Sequence, residues 1–354
     1  MEIYHWNDRV SNFGDEINTW LWHELADRRW PQQPGTLFVG IGTVLDHQIP
    51  SSTKVYVFGA GAGYGPPKDI VGLGWQVYGV RGPITARLCG LTEEAVIGDP
   101  AMLLPDVFPV ARPSQAAKRK VIYVPHVHSV ANAPWQEVCD AADVAFIDPR
   151  RPSKTVVQEI ASADLVLAEA MHAAIIADAY RVPWIPVWTS NRINALKWSD
   201  WSSSLNMTIE PRRIDPPSLL MLSDNFASKA AGFDMTTPFF DLKTRTFMDV
   251  DQMVKAQHRV SKLEKFKKPL RINYLRLRSI VLESSFERVW KQKTRDLTAR
   301  ASEQMANLSK EAGVLSKQED FDTQTAKQRL RLDQFLDELS DYRPLDRTAA
   351  TISE

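Results

Sequence analysis

Two cysteines in 354 residues, Cys89 and Cys139, are too few for a disulfide framework and fit a reducing compartment. Acidic and basic residues cancel at 43 each, so no net field draws the chain to nucleic acid or to a membrane. Any such attraction must come from a local patch. No stretch approaches the ~18 uncharged apolar residues of a membrane span. The opening Met1-Glu2-Ile3-Tyr4-His5-Trp6-Asn7-Asp8 lacks the basic and apolar regions of a secretion signal. The expectation is a cytoplasmic protein, at most peripheral to the inner face of a membrane. What remains is ordinary globular composition, 44% hydrophobic and 24% charged. The length suits roughly two domains, each able to bury its own core.

Short apolar runs alternate with helical patterns through the first two-thirds of the chain. Leu37–Val39, Val55–Phe58, Gln76–Val80 and Ala95–Ile97 read as buried strands ending at or beside glycine. Asn12 to Arg29 reads as one helix, capped by Asn12, with Asp15 and Glu16 at its positive end and Ile17, Leu21 and Leu25 on one face. Pro105, Pro109 and Pro113 mark a linker. Beyond it the strands Val121–Val124, Val144–Ile147, Leu165–Ala168 and Trp184–Trp188 alternate with helices over 153–162 and 169–180. The pattern predicts α/β architecture with parallel, doubly wound sheets, divided into Rossmann-like domains over 1–113 and 114–249. A helical tail, basic and then acidic, follows over 250–354. Between Val254 and Arg300 fourteen Lys or Arg face four Asp or Glu, so the zero net charge conceals a basic segment.

Four motifs stand out, in this order. Asn12-Phe13-Gly14-Asp15 opens the first helix, and Val80-Arg81-Gly82-Pro83 turns a strand into a helix. Gly98-Asp99-Pro100-Ala101 closes another strand. Glu169-Ala170-Met171-His172-Ala173-Ala174-Ile175-Ile176 begins a helix after a buried strand. As a set over roughly Tyr4 to Val187, they resemble the polysaccharide pyruvyltransferase family, and most closely its succinoglycan-type branch in exopolysaccharide synthesis. The resemblance implies a GT-B-like fold, phosphoenolpyruvate as donor, a ketal spanning two sugar hydroxyls as product, and no cofactor.

The residue types suit that chemistry. His172 lies where ligands bind in open α/β sheets, beyond a strand's carboxyl end and at a helix start that attracts anions. Its imidazole can donate or remove a proton near neutral pH. Glu169, three residues earlier, is placed to orient the ring, or is simply an acid favoured at a helix start. Arg81 can hold carboxylate or phosphate bidentately, or form a salt bridge across the domain. Many family members carry arginine two residues before the motif histidine, where this chain has Ala170. His126 and His128, after the strand Val121–Val124, could replace it as donor ligands. Asn12, Asp15 and Asp99 are candidate contacts to the acceptor or the cleft, and Gly61 marks a close backbone approach. The alternating glycines of Gly59-Ala60-Gly61-Ala62-Gly63-Tyr64-Gly65 do not match a dinucleotide fingerprint, and no metal-ligand spacing occurs.

The family implies a sugar acceptor, by expectation a lipid-linked oligosaccharide. The basic segment Lys255–Arg278 suggests an anionic membrane surface and, without a recognised module, no nucleic acid. Two other functions fit the same pattern: a nucleotide-sugar glycosyltransferase, or a non-catalytic partner in a polysaccharide-assembly complex.

Overall fold

The computed structural model describes residues 1–6, 10–45, 49, 54–64, 68–111, 119–230, 240–241, 246–247 and 287–340. The segment Lys255–Arg278 lies outside them. In the first half, β1 (Glu2–Tyr4), β2 (Thr36–Val39), β3 (Lys54–Ala60) and β4 (Gln76–Val80) form a parallel sheet in the order β1-β2-β3-β4. In the second, β5 (Val121–Val124), β6 (Ala145–Phe146), β7 (Leu165–Ala168), β8 (Trp184–Trp188) and β9 (Arg212–Arg213) are also all parallel, in the order β6-β5-β7-β8-β9. Strands such as β5 and β7 are buried throughout, which is why they read as unbroken apolar runs.

The α/β expectation is met, and doubly wound order applies to the second sheet alone. Its order reverses between β5 and β7, the kind of switch point beyond whose carboxyl ends open α/β sheets bind ligands. The first sheet winds in one direction without reversal. Ala95–Ile97 is not a strand either: Glu93–Ala95 is a 3-10 turn, and only Val96 bridges to Val80.

The expected helix over residues 12–29 is four short pieces: α1 (Phe13–Glu16), a 3-10 turn (Ile17–Thr19), α2 (Leu21–Ala26) and a second 3-10 turn (Asp27–Arg29). Asn18 supplies a reason. Its buried amide donates to the carbonyls of Asp15 and Ile41 and accepts from the Ile41 amide and the Trp22 indole. Side-chain bonds of this kind compete with the helical ladder. The pieces are also held from outside, since the Ser153 amide and hydroxyl donate to the Glu16 carboxylate and the Phe13 amide donates to Pro149.

The remaining helices are α3 (Pro83–Leu88), α4 (Leu104–Val107), α5 (Trp135–Ala142), α6 (Ser153–Ala161), α7 (Met171–Ala179), α8 (Ala195–Ser204), α9 (Leu219–Ala230), α10 (Glu287–Leu308) and α11 (Gln318–Ser340). Every residue of α7 is buried. A helix apolar on all sides needs neighbours on all sides. It finds them in the second sheet and in the turn Pro100–Leu103 of the first half. One apolar core therefore runs from Phe38 and Phe58 through α7 to Ile122 and Val166, so the two halves share an interior.

The two terminal helices belong to that body as well. On α10, Ala301 and Met305 are buried against α5, where the Cys139 thiol meets the Met305 sulfur at 3.6 Å. On α11, Phe335 is fully buried among Trp30, Phe38, Tyr56 and Tyr78. Between them Val314 bridges to Trp184 of β8. No helix among the described residues is long and apolar enough to cross a membrane.

Candidate functional site

The sequence motifs meet at the carboxyl ends of the strands. Gly61 follows β3, Arg81 follows β4, His126 lies beyond β5, and Glu169 follows β7 directly. His172 is in the first turn of α7, and its ring packs against α1 at Gly14. A Cβ added to Gly14 would fall 2.0 Å from His172 Nδ1 and 2.5 Å from its Cγ, so only glycine leaves room for the imidazole. On the other side His172 Nε2 lies 3.9 Å from Asp99 Oδ2. Asp99 caps the turn Pro100–Leu103, accepting from the Ala101 amide at 3.0 Å through Oδ1. That leaves Asp99 Oδ2 and His172 Nε2 buried with no hydrogen-bond partner among the described residues.

Burial sets the charge state of both groups. His172 is pushed down to about 3, first by burial and then by the positive charges of Lys197 and Arg81, so the ring is neutral in the empty site. Asp99 is pushed up to about 6, chiefly by burial, with Arg81, the Ala101 amide and Lys197 pulling the other way. The 3.9 Å contact is therefore not an ion pair.

Asp99→Asn tests this environment. The raised carboxyl favours the folded state while protonated, below about pH 4, and that contribution is lost as pH rises through about 6. The depressed imidazole acts oppositely, its stabilisation being lost as pH falls from about 6.5 toward 3. At neutral pH Asp99→Asn mimics the protonated acid, and should stabilise the protein by up to about 3 kcal/mol. Activity should fall, and a limb of kcat/KM near pH 6 should disappear. A lower melting temperature at neutral pH, or an unchanged limb, would refute this reading of Asp99.

Arg81 is fully buried and mostly occupied within the protein. Its Nε donates to Asp200 of α8 at 3.0 Å and its Nη1 to Thr43 at 2.9 Å. Asp200 also accepts from the Thr85 amide and hydroxyl, and a Cβ on Gly82 would strike the Asp200 carbonyl at 1.9 Å. The Arg81-Gly82-Pro83 motif is thus the seat of α8, and Asp200 engages the guanidinium in the salt bridge that the sequence offered as the alternative to bidentate donor binding. Nη2 is buried with no partner among the described residues. Gly61 is required here, because its Cβ would fall 2.2 Å from that Nη2. Substituting Arg81 would leave Asp200 charged and unpaired, on the order of 3–5 kcal/mol.

Glu169 does not orient His172. Its carboxylate accepts from the His126 amide at 2.8 Å, the Tyr123 hydroxyl at 3.2 Å, the Thr189 amide at 3.3 Å and the Thr189 hydroxyl. It ties together the ends of β5, β7 and β8, and burial raises its pKa against those bonds. Ala170 caps α7, so Glu169 precedes the helix and the rule that aligns residues three apart does not reach it.

His126 is partly buried beyond β5, and its pKa lies well below the usual value through burial, His128 and Lys197. His128 is exposed; its amide donates to His126 Nδ1 at 3.3 Å. Asn12 and Asp15 bond to each other at 2.6 Å, while Asn12 accepts weakly from the Gly14 amide. They hold the turn on which the His172 ring rests.

Lys197 had no motif to mark it. It lies in the first turn of α8, its Nζ donates to the Tyr64 hydroxyl at 2.9 Å, and its charge acts on Asp99, His126 and His172. Among the described residues no cluster of His, Cys, Asp or Glu could hold a metal ion.

Comparison with known proteins follows this geometry. The family model described as polysaccharide pyruvyl transferase matches residues 48–191, which include Gly61, Arg81, Asp99, His126, Glu169 and His172. The succinoglycan biosynthesis protein ExoV of Rhizobium meliloti (strain 1021) is 41% identical over 219 residues, 60% of this chain and 68% of that protein. No solved structure matches. Identity at this level over two-thirds of a relative, with the matched segment carrying the residues gathered at the strand ends, shows that the chain belongs to the polysaccharide pyruvyl transferase family.

Proposed function

We propose that the protein transfers a pyruvyl group from phosphoenolpyruvate onto a sugar of an exopolysaccharide unit, forming a pyruvate ketal and releasing phosphate. One observation carries the reading beyond family membership. Three buried polar atoms, Arg81 Nη2 after β4, Asp99 Oδ2 at the turn Pro100–Leu103 and His172 Nε2 in the first turn of α7, have no partner among the described residues. Buried polar groups are nearly always paired, so such a group calls for a ligand or a catalytic role. A guanidinium nitrogen suits an anion, and a carboxylate facing an imidazole suits proton transfer.

The reaction needs one proton delivered to the methylene carbon of the donor and one removed from each of two hydroxyls. Protonation turns the methylene into a methyl and makes the adjacent carbon electrophilic. One hydroxyl adds there, the bond to the phosphate oxygen breaks, and the second hydroxyl closes the ketal. Of the two protons released, one replaces that consumed and the other leaves with phosphate or solvent. In this reading His172, protonated once an anion lies beside it, supplies the first proton. Asp99, ionised above about pH 6, takes one back.

We read the two sheets as halves of a GT-B-like scaffold, since both are parallel and one apolar core joins them. The one-way order of the first sheet departs from a Rossmann half. The acceptor we propose is lipid-linked, with the basic segment Lys255–Arg278 holding the protein at an anionic membrane surface. That attachment should appear as cosedimentation with anionic vesicles that salt abolishes. Equal binding to neutral vesicles would remove it.

The deciding assay follows phosphate release from phosphoenolpyruvate together with mass analysis of the acceptor. Phosphate release in step with a pyruvylated product is expected. Turnover of a nucleotide sugar, with none of phosphoenolpyruvate, would replace the reading with glycosyl transfer.

A further inference from the structure

The first turn of α8 brings a second cation to the strand ends. Asn194 caps this helix, accepting from the amides of Leu196 and Lys197, while its own amide donates to the Gly63 carbonyl at 2.8 Å. Gly63 in turn lies against Leu196 and Lys197, where a Cβ would meet them at 3.1 and 3.6 Å. Asp200, one turn further on, pairs with Arg81. The glycine loop, the first turn of α8 and the buried guanidinium therefore form one rigid unit.

We propose that Lys197 is an oxyanion-binding residue which, with Arg81 Nη2, holds the phosphate or carboxylate of the anionic substrate beside His172. The proposal rests on the pyruvyl-transfer reading for the identity of that substrate, while the oxyanion chemistry stands on the geometry alone. Lys197 is half-buried, on four rotatable carbons, and its ammonium meets the Tyr64 hydroxyl, a neutral partner. The Tyr64 ring face also lies 4.8 Å from the ammonium, and neither it nor the phenol hydroxyl carries a negative charge to neutralise it. Gly61, three residues before Tyr64, packs on Arg81 Nη2, and Asp200 of the same helix pairs with Arg81, so the ammonium and the guanidinium flank one glycine loop; the shifts of Asp99, His126 and His172 agree with a cation on that side. The nine-tenths-buried Arg81, Asp99 and His172 each leave an atom unpartnered among the described residues. Two cations of different kinds suit an oxyanion: a fixed guanidinium nitrogen and a flexible ammonium that can exchange a hydroxyl for a charged oxygen.

The test is calorimetric titration of inorganic phosphate and of phosphoenolpyruvate into the full chain without acceptor. Lys197→Met should weaken both affinities about tenfold or more, as expected for loss of a charge-assisted bond, and Lys197→Arg should recover part of the loss. Tyr64→Leu removes both the hydroxyl and the ring face and keeps the ammonium, so phosphate affinity should be retained. A role for Lys197 confined to the Tyr64 contacts predicts equal losses in Tyr64→Leu and Lys197→Met, and that result would overturn the proposal. Wild-type affinity in a folded Lys197→Met protein would overturn it too. Should that variant fail to fold, Lys197→Gln takes its place under the same criterion. Lys197-dependent binding with no pyruvylated acceptor would support this inference while removing the assigned reaction. Pyruvyl transfer with Lys197-independent binding would do the reverse.

Discussion

His172→Asn is expected to fold normally and to lose ~10²–10⁴-fold in turnover, the usual contribution of a positioned acid or base. Stability should change little, because His172 Nε2 has no hydrogen-bond partner among the described residues and the ring is neutral at rest. Asparagine also keeps some polarity against Asp99. The pH dependence separates the roles further. In the free protein His172 is held at about 3, so its titration does not give kcat/KM a limb near neutrality. A bound anion favours the protonated ring and raises that value, so kcat, which reports the loaded site, should carry a limb at higher pH. That limb should vanish in whatever activity His172→Asn retains. Near-wild-type turnover in the folded variant would end the catalytic assignment. If His172→Asn melts instead, His172→Gln carries the same test.

Gly14→Ala should produce the second-largest loss, from a residue with no functional group. Alanine is the better helix former by roughly 0.5–1 kcal/mol, so local propensity favours the change. Sterics oppose it, because the new methyl would sit 2.0 Å from Nδ1 of the His172 ring. The ring must swing away from α1 or the two halves must part, and overpacking of this kind typically costs about 1–3 kcal/mol. Misplacing a reacting group by about 1 Å can cost on the order of 10²-fold, so turnover should drop by about that factor. Steady-state kinetics and thermal melting on the same preparation measure both effects. A Gly14→Ala protein with full turnover would mean that the ring does not work from the position it occupies here.

Glycine at position 14 was legible in the sequence as part of a motif, but its purpose was not. The same holds at Gly61, where the alternating glycines announce a close approach and only the structure names Arg81 as what approaches. Strands were legible where both faces are buried, as in Val55–Phe58, Leu165–Ala168 and Trp184–Trp188, because uninterrupted apolar residues need no knowledge of the partner strand. The run Ala95–Ile97 has the same local character and fails as a strand. Gly98 at positive φ and Pro100 turn the chain into the cap that carries Asp99.

By itself, then, the sequence determined the α/β class, the membership of the family and the strand ends that Arg81 and the His172 helix follow. These depend on patterns within a few residues: apolar runs, glycine and proline positions, and caps. Tertiary structure decided which groups are consumed and which are left over. Arg81 finds Asp200 119 positions away, Glu169 turns to Thr189 and His126 rather than to the ring, and Lys197 reaches Tyr64 of the glycine loop from a helix with no motif. It also decided that α10 and α11 close the core instead of trailing from it. Periodicity records that a face is buried and says nothing of what it is buried against. That choice is made by shape and by the pairing of buried charges across the chain.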